Sequence, residues 1–275
     1  MVAGRRFWKM TGSGNDFVFI DGRTESASEF QSAGVIGRVC ARGTGVGADG
    51  LVILTEPTSQ DADLALTYYN TDGSLASLCG NATLCTAALG VRLRAVDSAG
   101  FGLETGSGVL RARMNAGLPE FDLPAIEGLQ QSLAGVRPSG DEIRLGFATA
   151  GIPHVVIQVP DVANSDVFGR GGAIRNDPSF AAGTNVNFVS RTSTGVWKIR
   201  TYERGVEGET LACGTGSVAS AVLLSSWGEI GSDVELETAS GQVLGIRTDR
   251  SRDGVWRASL RGEGRLVFEG TLEEL

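Results

Sequence analysis

Short runs of β-branched and aromatic residues recur along the chain, each bounded by glycine, proline or a polar turn. They predict strands at 17–21, 50–54, 64–69, 108–114, 155–159, 186–190 and 196–202. Three longer stretches predict helices over 29–41, 81–93 and 215–227. Ala, Leu, Thr and Ser dominate the last two, so each is expected to lie buried inside its own half of the chain. Glycine and prolines break the pattern over 115–124, which reads as a linker.

The second half echoes the first. "YYNTDGSLASLCGNATLCTAALG" from Tyr68 and "TYERGVEGETLACGTGSVASAVLL" from Thr201 both read strand, turn, Cys-Gly-polar, helix. "GSGNDFVFI" from Gly12 matches "AGIPHVVIQV" from Ala150, and "GVGADGLVIL" from Gly45 matches "GTNVNFVS" from Gly183. Chance likeness between glycine-rich β segments is the plain alternative. Three segments recurring in order at a nearly constant offset point to tandem duplication, with two mixed α/β domains of ordinary size.

Composition narrows the chemistry. Glycine makes up 40 of 275 residues, about twice the usual share. Spread between aliphatic runs, these glycines imply tight turns and close backbone approaches. The net charge of −8 argues against a nucleic-acid partner. No apolar run reaches the ~18 residues of a membrane span, and the N-terminal segment lacks a signal peptide's apolar stretch. Four cysteines, Cys40, Cys79, Cys85 and Cys213, are too few for a disulfide framework in a chain this long. A cytoplasmic protein is expected. The single histidine, His154, rules out a multi-histidine metal site. Lys9 and Lys198 are the only lysines, and Lys198 lies in an alternating strand pattern, so a pyridoxal enzyme is disfavoured.

Cys79 and Cys213 stand where helices are expected to begin. A helix start offers unbonded N–H groups and the positive end of its dipole. It lowers a thiol's pKa from ~8.5 towards neutrality and can hold a carboxylate. Two such sites related by duplication, if the halves close face to face, bring two thiols to one cleft. Inverting a stereocentre beside a carboxylate needs a base on one face of the carbon and an acid on the other. A thiolate and a thiol can perform both transfers, with no cofactor and no metal, and exchange roles on reversal. The N–H donors stabilise the charge that builds on the carboxylate. The plain alternative is that both cysteines are small core fillers. Cys40 and Cys85 lack the flanking glycine and read as core.

"KMTGSGNDF" (9–17), "GVGADG" (45–50), "NTDGSLASLCGN" (70–81), "NVNF" (185–188) and "YERGVEGETLACGTG" (202–216) resemble the diaminopimelate epimerase family over nearly the whole chain. The resemblance implies an α+β fold of two pseudo-symmetric domains, each a curved, mostly antiparallel sheet wrapped around a central helix. It implies an active site in the interdomain cleft and a last strand that returns to the first domain. The expected domains are 1–117 plus 264–275, and 118–263. The implied activity is pyridoxal-independent interconversion of LL- and meso-diaminopimelate, towards lysine and peptidoglycan precursors. Cys79 and Cys213 would be the acid/base pair, with His154 and Glu203 tuning their pKa values. Gly80, Asn81, Gly214 and Thr215 would supply donors to the reacting carboxylate, with Asn15 nearby. Asn70, Asn185, Glu203 and Arg204 would hold the distal end. Without the resemblance, Glu203 and Arg204 read as a surface ion pair and His154 as a core histidine. The family often dimerises, so a homodimer is an expectation.

Some residues depart from the family pattern. Ala82 and Leu84 stand where a glycine and an arginine are common, Ile152 replaces an asparagine, Gly50 takes a position that is glutamine in some members, and "RGVEGET" is one residue longer. A related racemase of another amino acid is the runner-up, and a non-catalytic amino-acid-binding protein is the alternative from another class. "GVGADG" formally fits the dinucleotide pattern GxGxxG, but a helix is expected before it and a strand after it, the wrong order. Serine between glycines in "TGSGN" and "TGSGV" does not make G-x-S-x-G, which disfavours a serine hydrolase.

Overall fold

In the computed structural model, which describes residues 4–133 and 135–273, the chain opens with β1 (Arg5–Gly12), β2 (Asn15–Asp21), α1 (Ala33–Cys40), β3 (Gly50–Thr55) and β4 (Leu64–Asn70). β5 (Leu75–Ala76), α2 (Gly80–Arg92), β6 (Phe101–Thr105), β7 (Gly108–Asn115) and β8 (Leu118–Asp122) follow. The second half runs β9 (Glu127–Gln130), β10 (Arg144–Ala150), β11 (Ile152–Gln158), α3 (Val167–Arg175), β12 (Asn185–Arg191) and β13 (Trp197–Glu203). It continues through β14 (Gly208–Thr210), α4 (Gly214–Ser226), β15 (Asp233–Glu237), β16 (Val243–Arg250) and β17 (Trp256–Arg261) to β18 (Arg265–Leu272). Two units result: Met1–Phe121 with Arg261–Leu275, and Asp122–Leu260.

Each unit pairs its strands by the same plan. In the first, the order is β18–β1–β2–β3–β4–β6–β7–β8, with β5 also on β4. In the second it is β9–β10–β11–β12–β13–β15–β16, with β14 also on β13. The pairings β2–β3 and β4–β6 are parallel in the first, and β11–β12 and β13–β15 in the second. The last strand, β18, returns to β1.

Alternation sorts the side chains onto two faces. Val18, Ile20, Leu51 and Ile53 form a core with Phe30, Ile36 and Val39 of the α1 region. Phe17 and Phe19, fully buried, point the other way. In the second unit Val155, Ile157, Val186 and Phe188 pack with Val167 and Ile174 of α3. The opposite faces hold the buried helices: α2 against β1, β4, β7 and β18, and α4 against β10, β11, β12 and β16. α4 is rich in Gly, Ser, Val and Thr, weak helix formers by up to ~1 kcal/mol per residue. Burial of Val218, Val222, Leu223 and Leu224, at about 1.5–3 kcal/mol for each large side chain, outweighs that deficit. Small residues are also what let a sheet close tightly on a helix: a Cβ on Gly146 of β10 would stand 2.5 Å from Leu223 of α4.

The structure corrects two expectations. The helix expected over 29–41 is broken: a one-turn 3-10 helix (Ser28–Gln31) ends at Ser32, whose Oγ accepts from Val35 N at 3.3 Å and starts α1 anew. The linker expected over 115–124 is mostly a hairpin. Ala116 and Gly117 both take positive φ, 51° and 80°, so a two-residue turn joins β7 to β8. Among the described residues, no helix is long and apolar enough to cross a membrane.

Candidate active site

Cys79 and Cys213 are the N-cap residues of α2 and α4, each helix thirteen residues long. Their backbones are extended and nearly identical, with φ/ψ of −130°/114° and −129°/107°. The carbonyl of Cys79 accepts from both the N–H and the Oγ1 of Thr83, at 2.9 Å each. The carbonyl of Cys213 accepts from the N–H and Oγ of Ser217 at the same distances. Neither sulfur caps its own helix. The first-turn N–H groups ahead of Thr83 and Ser217, including those of Gly80, Asn81, Gly214 and Thr215, therefore have no intrahelical acceptor.

In the first unit, Asn81 Nδ2 donates to Asn15 Oδ1 at 2.8 Å, and Asn15 Nδ2 donates to Asp49 Oδ2 at 3.0 Å. The chain of contacts ends in ion pairs: Arg42 forks onto Asp16 and reaches Asp49, and Lys9 Nζ lies 2.7 Å from Asp16. Burial opposes the Asp16 charge, but Arg42 and Lys9 hold its carboxyl below the ordinary range. Asn81 Oδ1 is buried without a hydrogen-bond partner. Asn70, at the end of β4, donates to Ser74 Oγ at 2.9 Å across the turn that leads to β5.

In the second unit, Asn185 is fully buried between two other site residues. Its Nδ2 lies 3.9 Å from Cys213 Sγ, and its Oδ1 accepts from Arg204 N at 2.8 Å. Thr215 Oγ1 is 3.6 Å from the same sulfur. The Arg204 guanidinium donates to the Ala182 carbonyl at 2.7 Å, and no carboxylate among the described residues pairs with it. The surface ion pair with Glu203 therefore does not form. Burial pushes the Glu203 carboxyl above its ordinary pKa. His154 is fully buried, and desolvation, with the Arg204 charge, pushes its pKa down to about 3.

Cys40 and Cys85 differ from the other two. Burial pushes the Cys40 thiol up to about 11, and burial with the neighbouring Cys79 charge also pushes the Cys85 thiol well above its ordinary value. Both lysines are ion-paired, Lys9 with Asp16 and Lys198 with Glu237 at 2.8 Å. Among the described residues, no three His, Cys, Asp or Glu side chains gather as metal ligands would.

The site residues thus fall into two sets. Cys79, Gly80, Asn81 and Asn15 stand together in the first unit, and Asn70 stands at the end of β4 in the same unit. Cys213, Gly214, Thr215, Asn185, Glu203, Arg204 and His154 belong to the second. Sequence reasoning missed Asp49 and Arg42 behind Asn15, and Asn187 and Thr201 behind His154. The "NVNF" alternation, which places residues 185 and 187 on one face, was the available signal for Asn187.

Residues 7–118 and 146–256 match the profile of the family described as diaminopimelate epimerase. The chain is 46% identical to a diaminopimelate epimerase of Gemmatimonas aurantiaca, over 98% of this chain and 99% of that one. It is 39% identical to the diaminopimelate epimerase of Aquifex aeolicus, over 98% of each. Its fold is similar to that of a PhzF-family phenazine biosynthesis protein of Bacillus anthracis, with TM-score 0.75 and 14% identity over 98% of both chains. At that identity the likeness concerns the fold alone. With a profile match over most of its length and near full-length relatives at this identity, the chain belongs to the diaminopimelate epimerase family.

Proposed function

We propose that this chain is an amino-acid epimerase that interconverts LL- and meso-diaminopimelate by two-base proton transfer at the α-carbon. The observation that carries the reading is the repeated helix start, with a cysteine in the same backbone conformation at each. In the proposed reaction, Cys79 and Cys213 flank the α-carbon. One sulfur, as thiolate, takes the α-proton, and the other, as thiol, delivers a proton to the opposite face. Reversal exchanges the roles. The first-turn N–H groups of Gly80, Asn81, Gly214 and Thr215 receive the reacting carboxylate, where charge grows as the proton leaves. Like charges in one site oppose each other, so the thiols do not both ionise, and their titration belongs to the pair.

Arg204, whose guanidinium has N–H groups left for a planar fork, receives the distal carboxylate. Asn70, Asn185 and Glu203 line the same end. His154 and Glu203 tune the thiols. The chemistry needs no cofactor. The enzyme acts in the cytoplasm, in lysine and peptidoglycan precursor synthesis, as a homodimer.

Ile152, apolar at the start of β11, favours the second reading: a racemase of this family acting on an amino acid without a second polar end. Both are tested by α-proton exchange in heavy water over LL-diaminopimelate and a panel of single amino acids. Exchange and inversion of LL-diaminopimelate alone are expected. Exchange confined to another amino acid moves the substrate, and exchange on none makes the chain a binding protein.

A further inference from the structure

His154, Asn187 and Thr201 form a buried polar group that the fold does not need. In the second unit, β11, β12 and β13 bring Val156, Asn187 and Thr201 into register. His154 and Asn185 stand one residue pair further along the same face. In the first unit, β2, β3 and β4 align Phe19, Val52 and Tyr68, with Phe17 and Gly50 one pair further along. Tyr68 lies two residues before the end of β4, as Thr201 does in β13. The same sheet around the same kind of helix is thus built with Phe17, Val52 and Tyr68 where the second unit carries His154, Asn187 and Thr201. Burying polar side chains there costs free energy unless each is bonded, so their presence calls for a reason other than folding.

The bonding around Asn187 settles the state of the imidazole. A backbone carbonyl can only accept, and the Val155 carbonyl receives Asn187 Nδ2 at 2.9 Å. The amide nitrogen therefore lies on that side, and Thr201 Oγ1 donates to Oδ1 at 3.0 Å. The second hydrogen on the same nitrogen faces His154 Nδ1 at 3.3 Å. Nδ1 must then be the lone-pair nitrogen, and the proton of the neutral ring sits on Nε2. Nε2 is buried with no hydrogen-bond partner, a condition that costs ~1–3 kcal/mol. Burial and the positive Arg204 oppose a second proton on the ring. Asn187 also abuts the start of α4: a Cβ on Gly216 would overlap its Oδ1.

We infer that Asn187 is a positioning residue that holds His154 as the Nε2–H tautomer, so that His154 enters the reaction as a hydrogen-bond donor to an anion and not as a proton acceptor. The tautomer follows from the second unit alone. The donor role rests on the epimerase reading, in which the available anions are a thiolate and a substrate carboxylate.

His154 is the only histidine, so ¹⁵N-histidine labelling gives a single ring to observe. The expected spectrum shows Nδ1 unprotonated and Nε2 protonated, unchanged from about pH 5 to about pH 9, whereas an ordinary histidine titrates near ~6.5. A proton on Nδ1, or a charged ring within that range, overturns the assignment. Asn187→Asp removes the donor and offers an acceptor in the same shape. It should move the proton to Nδ1 and lower kcat about 10-fold or more with KM little changed, against the ~10²–10⁴-fold that a group acting directly on the proton contributes. An unchanged tautomer in that variant overturns the role of Asn187. If the variant does not fold, the wild-type spectrum still decides. Neither spectrum depends on turnover, so failure here is separable from failure of the epimerase reading, which proton exchange reports.

Discussion

Gly216 and Asn187 touch so closely that no side chain fits between them: a Cβ on Gly216 would fall inside contact distance of Asn187 Oδ1 and 3.2 Å from Cys213 Sγ. The missing side chain in the first turn of α4 lets the helix start meet the strand that carries Asn185 and Asn187.

Gly216→Ala should therefore destabilise the protein. In a helix the change ordinarily gains up to ~1 kcal/mol, but overpacking a filled site costs about 1–3 kcal/mol. Thermal melting should show a fall of a few degrees. A rise in Tm would mean that the contact relaxes freely.

Cys79→Ala and Cys213→Ala should each lower inversion of LL-diaminopimelate by about 10²–10⁴-fold or more, the contribution of a positioned acid or base. Neither sulfur caps its helix, so Tm should move little. Polarimetry and melting curves check both halves of the statement. Full inversion by either variant removes that cysteine from the mechanism.

Alkylation should distinguish the four thiols. The thiolate is the nucleophile, and burial holds Cys40 and Cys85 protonated, Cys40 with a pKa of about 11. Iodoacetamide near neutral pH should inactivate the enzyme with label on Cys79 and Cys213, while Cys40 and Cys85 stay unmodified. Peptide mass spectrometry reads the sites, and label on Cys40 at the point of inactivation contradicts the assignment.

Arg204→Lys should raise KM about 10-fold or more for diaminopimelate, because lysine lacks the planar fork and cannot reproduce the Ala182 contact together with a bidentate carboxylate. Steady-state kinetics test this. An unchanged KM places the distal carboxylate elsewhere.

Stability should depend on pH through His154. The folded ring, with its pKa pushed down from 6.5 to about 3, stays neutral where the unfolded chain takes up a proton. The stability it contributes is full above about pH 6.5 and drains as pH falls towards about 3. Glu203, pushed up by burial, acts in the opposite sense: it favours the folded state when protonated, and that contribution fades as pH rises through its folded pKa. The difference between wild type and His154→Gln therefore isolates the ring. Denaturant midpoints across this range should fall less steeply with acid for the variant. Parallel slopes would show that His154 is accessible to protons in the folded state.

The amino-acid sequence by itself determined the repeat, the strands rich in β-branched and aromatic residues, and the two cysteines at helix starts. Each of these is written in a few neighbouring residues: glycine beside cysteine, small residues after it, alternation within a strand. It did not disclose the strands β15 and β16, where Val234, Leu236, Leu244 and Ile246 alternate with exposed or half-buried residues and only burial distinguishes the two faces. Nor did it disclose the hairpin at Ala116–Gly117, whose turn geometry outweighs the breaks read as a linker. The tertiary structure alone decided that Asn187 meets His154, 33 residues away, and that Asn15 meets Asn81, 66 residues away. Such partners are set by which strands pair, in which register, and against which helix. A side chain's bonding and protonation therefore follow from the fold that surrounds it, while its helix or strand follows from the residues beside it.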